Sequence, residues 1–328
     1  MNKIYIDGQA GTTGLQIHSR LSGRDDIEIL EIDADYRKDL MARRELINAS
    51  DITILCLPDL AAKEAVSLVD SESVRILDAS SAHRITDQWV YGLPEMSQAQ
   101  KSAIKNARWV SNPGCYPTGA ILLLRPLIEA GLLSPVYPYA INAVSGYTGG
   151  GREAIERFEN TAHKKHISAP IRRYAFANEH KHIKEIKKYS ELAAKPIFMP
   201  SYGHYAQGIT LQIPIYLSMH NVNLTANDLR NKLAEHYADS SFVTVLNNEQ
   251  TELLEGIEPE IHNNTNAVSL MVLAPKNTDH AVLCAVYDNL GKGASGAAVQ
   301  NLEIMLGLPE SDGLVSAALS LNPNQILN

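Results

Sequence analysis

Apolar residues come in short runs through the first eighty positions, and their period alternates between two and three to four. Lys3 to Asp7 reads as a buried strand, followed at once by Gly8-Gln9-Ala10-Gly11-Thr12-Thr13-Gly14 and a helical pattern carried by Leu15, Ile17, His18 and Leu21. Ile27 to Ile32 reads as a strand, Leu40 to Ala49 as a helix, Asp51 to Leu57 as a strand, Leu60 to Val69 as a helix and Val74 to Ala79 as a strand. Strands and helices in alternation predict an α/β Rossmann domain with a parallel, doubly wound sheet.

After residue 120 the pattern changes. Ala120 to Leu133 is helical but contains Pro126, which predicts either a kink or two short helices. Strands then dominate: Val136 to Ser145, Gly208 to Leu217, Phe242 to Leu246, Val268 to Leu273 and Ala281 to Asp288. Two clear helical patterns intervene, Arg152 to Asn160 and Ala226 to Tyr237, the second with Thr225 and Asp228 as capping candidates. This predicts an α+β domain on a mostly antiparallel sheet. A last amphipathic helix is expected to run through Leu306.

Composition narrows the partners. A chain of 328 residues, 45% hydrophobic and 20% charged, has room for two soluble domains. Its net charge of −8, with no long basic block, gives no footprint for nucleic acid or an anionic membrane. Small molecules are the expected partners. Three cysteines do not make a disulfide framework, the N-terminus carries no signal-peptide pattern, and no apolar run is long enough to span a bilayer. A cytoplasmic location is expected.

Candidate chemistry centres on Ser111-Asn112-Pro113-Gly114-Cys115-Tyr116-Pro117-Thr118-Gly119. Asn112, Pro113 and Gly114 form turns and Pro117 suits a first helical turn, so the Cys115 sulfur is expected at a helix N-terminus. Backbone amides and the helix dipole there favour the thiolate, the nucleophilic form, and the same amides suit an oxyanion. A buried cysteine acting as a small hydrophobe is the competing reading. Cys56 and Cys284, inside apolar strand-like runs, fit that reading and are expected in the core.

The glycine loop Gly8, Gly11, Gly14, with Thr12 and Thr13 opening the helix, is placed to approach a pyrophosphate. At the end of the second strand Asp33 and Asp35 stand beside Arg37 and Lys38: the acids suit the ribose of NAD, the bases the 2′-phosphate of NADP, and the residues leave both open. Arg84, after the fourth strand, is a candidate for an anionic substrate group, or a surface arginine. Ser145 to Gly151, including Gly146, is a donor-rich turn. Asn289 to Gly296, with Asn289 and Gly293, is a second glycine segment expected to approach the cofactor before the last helix. Histidines gather at His163, His166, His180, His182 and His204, without the cysteine pair or carboxylate set of a zinc site, so no metal is expected. On a helix, His182 and Glu185 would lie one turn apart, where a carboxylate orients an imidazole.

Together, the Ser111 to Thr118 turn, the Gly8 to Gly14 loop and Lys292-Gly293-Ala294-Ser295-Gly296-Ala297-Ala298-Val299-Gln300-Asn301 resemble the N-acetyl-gamma-glutamyl-phosphate reductases of the shorter form, almost end to end. The resemblance implies a fold similar to aspartate-semialdehyde and glyceraldehyde-phosphate dehydrogenases. Residues 1–115 and 290–328 would form the NADP-binding domain, and 116–289 an inserted substrate-binding and dimerisation domain. It implies NADP(H), an acyl phosphate substrate, arginine biosynthesis and a homo-oligomer, dimer or tetramer. Cys115 matches the family's nucleophile, and Tyr174, His180, His182 and Glu185 match its active-site tyrosine and His-x-His-x-x-Glu pattern, with His182 as acid/base. Asn112, Gly146, Tyr174 and Arg84 are then candidates for holding substrate. Ser81-Ala82-His83-Arg84 departs from the acidic and aromatic residues that longer members carry before the arginine. A reductase of aspartyl phosphate, or an NADP-binding regulatory protein without catalysis, are the alternatives.

Overall fold

The computed structural model describes residues 1–310 apart from Asn221 and Asn277, so the part of the cofactor-domain assignment covering 311–328 lies outside the described residues. The chain forms two units, one of residues 1–113 with the segment from Ala294, the other of residues 114–293.

In the first unit, β1 (Asn2–Asp7), α1 (Thr12–Leu21), β2 (Ile27–Leu30), α2 (Leu40–Ala49), β3 (Ile52–Leu55), α3 (Asp59–Ser67) and β4 (Arg75–Asp78) alternate as expected. They are followed by β5 (Val90–Tyr91), α4 (Gln98–Asn106) and β6 (Trp109–Ser111). The sheet runs β2-β1-β3-β4-β6-β5 and every pairing is parallel. Strand order reverses at β1, which opens a crevice beyond the carboxyl ends of β1 and β3, where open α/β sheets take ligands. Asp39 and Ser97 start α2 and α4 by accepting from Ala42 and Gln100 amides. Tyr5, Ile47, Leu55, Ala62, Ala65, Val74, Ile76 and Trp89 form a core on one face of this sheet.

The second unit begins with α5 (Cys115–Glu129), then β7 (Ala140–Gly146), α6 (Gly151–Glu159), β8 (Ile171–Arg173), α7 (Lys181–Tyr189), β9 (Ile197–Gly203), β10 (Ile209–Tyr216) and α8 (Ala226–His236). It closes with β11 (Val243–Val245), α9 (Asn248–Glu252), β12 (Val268–Leu273) and β13 (His280–Tyr287). The sheet runs β11-β12-β13-β10-β7-β9-β8. Four pairings are antiparallel; β7 with β9 and β11 with β12 are parallel. The Thr225–Asp228 capping box is present at α8. β7 starts at Ala140 rather than Val136, because Pro135 and Pro138 lack the N–H a ladder needs.

The final helix, α10 (Gly296–Leu306), belongs to the first unit and corrects the expectation of an amphipathic helix. It is buried from Gly296 to Met305, Gln300, Asn301 and Glu303 included. Its polar side chains are answered individually: Glu303 pairs with Arg24 at 2.6 Å, Gln300 donates to Glu95 at 2.8 Å, and Asn301 donates to the Gly92 carbonyl at 2.8 Å.

Candidate active site

At the mouth of β1 the backbone turns through Gly8 at φ +88°, and a Cβ there would stand 2.4 Å from the Cys56 carbonyl oxygen. A Cβ on Gly14 would stand 2.6 Å from the Gly8 carbonyl oxygen. Only glycine fits either place, so the loop lies flat against the end of β3. Gly11 is the N-cap of α1, and Thr12 and Thr13 are its first residues. This bare loop at a helix N-terminus is the cradle a dinucleotide's phosphates need. Beneath it Asp7 is buried and clasped by Arg43, whose Nη2 lies 2.9 Å from its carboxylate. Burial pushes the Asp7 carboxyl up against the pull of that guanidinium. After β2, Asp33 accepts from the Asp35 amide at 3.0 Å and so caps a tight turn, while Arg37 and Lys38 are exposed beyond it.

The segment after β4 is pinned. Asp78 accepts from the Ser80 amide at 2.8 Å and lies 2.6 Å from His83 Nδ1, and the His83 ring stacks on Trp89. Arg84 is buried and donates to the Ala79 carbonyl at 3.2 Å. The Asn112 side chain works inside this unit: it donates to the Ala294 carbonyl at 2.9 Å and accepts from Asn301 at 3.0 Å.

In the second unit Cys115 is the first residue of α5, with Gly114 as N-cap. The Gly114 amide donates to Glu185 Oε1 at 2.7 Å, both buried. Glu185 sits on α7 one turn after His182, so the His-x-His-x-x-Glu pattern and the cysteine turn meet. The expectation that Glu185 orients an imidazole is joined by a role the sequence did not suggest, tying α7 to the backbone beside Cys115. His180 is the N-cap of α7: its Nδ1 accepts from the His182 amide at 3.2 Å, and burial, with Lys181 adding, lowers its ring to about 4.

Tyr116 packs against both histidines, with ring centroids 6.3 Å from His180 and 5.8 Å from His182. Its hydroxyl accepts from Tyr174 at 3.2 Å and donates to the Ser201 carbonyl at 3.3 Å, and Tyr174 stacks on Tyr202 at 4.4 Å. Burial raises all three phenols, so they remain protonated donors. Tyr116 stands next to Cys115 in the sequence and was legible only as a turn residue; Tyr202 carries no local signal. A Cβ on Gly293 would stand 2.9 Å from the Cys115 Cβ, so this glycine lets the last loop close onto the cysteine. The Asn289 side chain accepts from the Gly208 amide at 2.8 Å and donates to Thr148 at 3.1 Å. It thereby braces the Gly146 to Gly151 loop. Cys284 is fully buried and Cys56 partly so, and burial pushes both thiols up to about 12. Among the described residues no His, Cys, Asp and Glu cluster is placed to hold a metal, and no helix is long and apolar enough to cross a membrane.

A parallel-sheet unit with a phosphate-ready glycine loop and, in the same chain, a mixed-sheet unit that opens on a cysteine define an oxidoreductase of the semialdehyde dehydrogenase class. Residues 3–106 match the family model described as semialdehyde dehydrogenase, NAD binding domain, and 115–289 that described as semialdehyde dehydrogenase, dimerisation domain. The N-acetyl-gamma-glutamyl-phosphate reductase of Burkholderia orbicola is 50% identical over 93% of this chain and 97% of its own length. N-acetyl-gamma-glutamyl-phosphate reductase 2 of Pseudomonas putida is 48% identical over 94% and 98%. The chain belongs to the semialdehyde dehydrogenase family, in the branch of the N-acetyl-gamma-glutamyl-phosphate reductases. The fold is shared with aspartate semialdehyde dehydrogenase from Francisella tularensis, at 15% identity and a TM-score of 0.69 over 93% of this chain and 100% of that one. The enzyme from Candida albicans with NADP gives 14% and 0.62 over 93% and 98%.

Proposed function

We propose that the chain reduces N-acetyl-L-glutamyl 5-phosphate to N-acetyl-L-glutamate 5-semialdehyde with NADPH, a step of arginine biosynthesis, through a thioester on Cys115. The observation that carries the reading is Cys115 at the head of α5, its preceding amide bonded to Glu185 and His182 one turn from that carboxylate. Relatives about half identical to it bear the reductase's name.

The Cys115 thiolate attacks the acyl carbon; the new C–S bond forms as the C–O bond to phosphate breaks, and inorganic phosphate departs. The dinucleotide, when bound, supplies the hydride that brings the thioester to the aldehyde level. His182 gives a proton to the substrate oxygen as negative charge builds and takes it back as the C–S bond breaks, which returns the thiolate to Cys115. Gly8, Gly11, Thr12, Thr13 and Gly14 hold the pyrophosphate, with Arg37 and Lys38 exposed where they suit a 2′-phosphate; Asn289 and Gly293 complete the proposed cofactor set. Tyr174, Gly146, Arg84 and Asn112 are the proposed substrate contacts. Residues 1–115 and 290–328 serve the cofactor, and 116–289 the substrate and a homo-oligomer of dimer or tetramer size, in line with the dimerisation domain matched at 115–289. Three cysteines, none of them in a disulfide, suit a cytoplasmic enzyme.

NADPH oxidation with N-acetylglutamyl phosphate, set against aspartyl phosphate, tests the substrate. Turnover of the first and not the second is expected, and the reverse would assign the chain to the aspartyl branch. Cys115→Ser is expected to abolish turnover while NADPH binding, read by fluorescence, stays within about twofold. In reverse, oxidation of the semialdehyde should require phosphate or arsenate, and full-rate turnover without either would overturn the phosphorylating mechanism.

A further inference from the structure

Tyr287 ends β13 and is held from both sides, paired with Ile209 of β10 and Val268 of β12. Its ring is fully buried and its hydroxyl reaches the first turn of α5. There it donates to the Cys115 carbonyl at 2.7 Å and accepts from the Gly119 amide at 3.2 Å. In an α-helix those two backbone groups, four residues apart, are each other's ordinary partners. A buried phenol is thus spent on a bond the backbone can make unaided. Room for it depends on position 119 having no side chain: a Cβ there would stand 2.6 Å from the ring and the hydroxyl. Burial raises the phenol well above its usual range, and negative charge at Cys115 adds to that, so the hydroxyl keeps its proton and stays a donor.

We propose that Tyr287 is a positioning residue for the nucleophile: its hydroxyl, seated between the Cys115 carbonyl and the Gly119 amide, fixes the backbone rotation of Cys115 and hence where the sulfur stands. The proposal rests on Cys115 being the nucleophile. Cys115 is the first residue of its helix, where backbone torsions are held least by the helix itself. A hydroxyl anchored on a strand paired from both sides replaces that slack with a fixed point. The same donation offsets the negative end of the Cys115 carbonyl dipole, which would otherwise oppose an anion on the same residue. Displacement of an attacking atom by a fraction of an ångström is enough to slow a reaction.

Tyr287→Phe removes the hydroxyl and leaves the carbonyl and the amide able to close on each other, so the variant is expected to fold. Its kcat should fall by about tenfold or more, with KM for the acyl phosphate within about twofold, because the loss lies in alignment rather than in substrate contacts. Alkylation of Cys115 by iodoacetamide, followed against pH, should slow about threefold at pH 7 as the thiol titrates about half a unit higher. Gly119→Ala, which crowds the same hydroxyl from the helix side, should reproduce both effects and carries the test if Tyr287→Phe does not fold. A folded Tyr287→Phe enzyme with unchanged kcat and a superimposable alkylation profile would overturn the proposal. So would lowered stability alone with that profile unmoved, which marks plain packing. Alkylation reads the thiol directly, whichever substrate is turned over; if the nucleophile assignment is what fails, Cys115→Ser keeps its turnover and identifies that failure separately.

Discussion

His180 uses its Nδ1 to cap the helix that carries His182, and burial keeps its ring neutral down to about pH 4. With Nδ1 committed to the cap, His180 has only Nε2 left for proton exchange, which supports the proposed assignment of the acid–base role to His182. His182→Asn is expected to lower kcat by at least about 100-fold. His180→Asn keeps a side-chain acceptor for the cap and should lose less than about tenfold. Equal losses in steady-state assays would return the two histidines to equivalence. His262, buried with Ser269 at 2.8 Å, is also lowered to about 4. For both rings the folded value lies below the ordinary 6.5, so the unfolded chain binds protons first and stability falls as pH drops from about 6.5 to about 4. His262 contributes up to about 3 kcal/mol of that fall, and His262→Gln should flatten the pH dependence of the urea midpoint.

Helix α5 runs from Cys115 through Pro126 to Glu129 as one element, so of the two outcomes its sequence allows, a kink or two short helices, the second does not occur. Pro126 has no N–H for the Leu122 carbonyl, and the Tyr237 hydroxyl fills the vacancy at 2.7 Å. Tyr237→Phe should therefore destabilise the protein by about 1–3 kcal/mol, read by chemical denaturation, because it strands a buried carbonyl. A change near zero would show that the carbonyl finds another partner. The helix itself was legible, since an apolar run after a cysteine turn needs only neighbouring residues. Its repair was not, because the repairing tyrosine lies 115 positions away and carries no local mark. Strand β9 went unread for a related reason: Pro200 within it argues against a strand, while its pairing with β7 wins in the folded chain.

Across the whole molecule, the glycine loop and the cysteine turn were legible because each is a local backbone shape that few sequences can adopt. The bond from Glu185 to the turn, and Tyr287 altogether, were not, since Glu185 is 71 and Tyr287 172 positions from the groups they bond. The first unit shows the same long reach, with Arg24 joined to Glu303 and Asn112 to Ala294 and Asn301. Arg75 adds a guanidinium that gathers the Lys105 carbonyl at 2.8 Å and the Met305 carbonyl. That discontinuity has a consequence for synthesis. As the chain leaves the ribosome, residues 114–293 emerge as an unbroken stretch, whereas the unit begun by the first 113 residues must wait for α10. A nascent chain stalled with Gly293 outside the exit tunnel and Glu303 still within it should show the later segment protected from protease and the earlier one digested, with protection of residues 1–113 arriving only once Glu303 is out. The part made first is the part finished last, and during that interval a chaperone would find its binding site there.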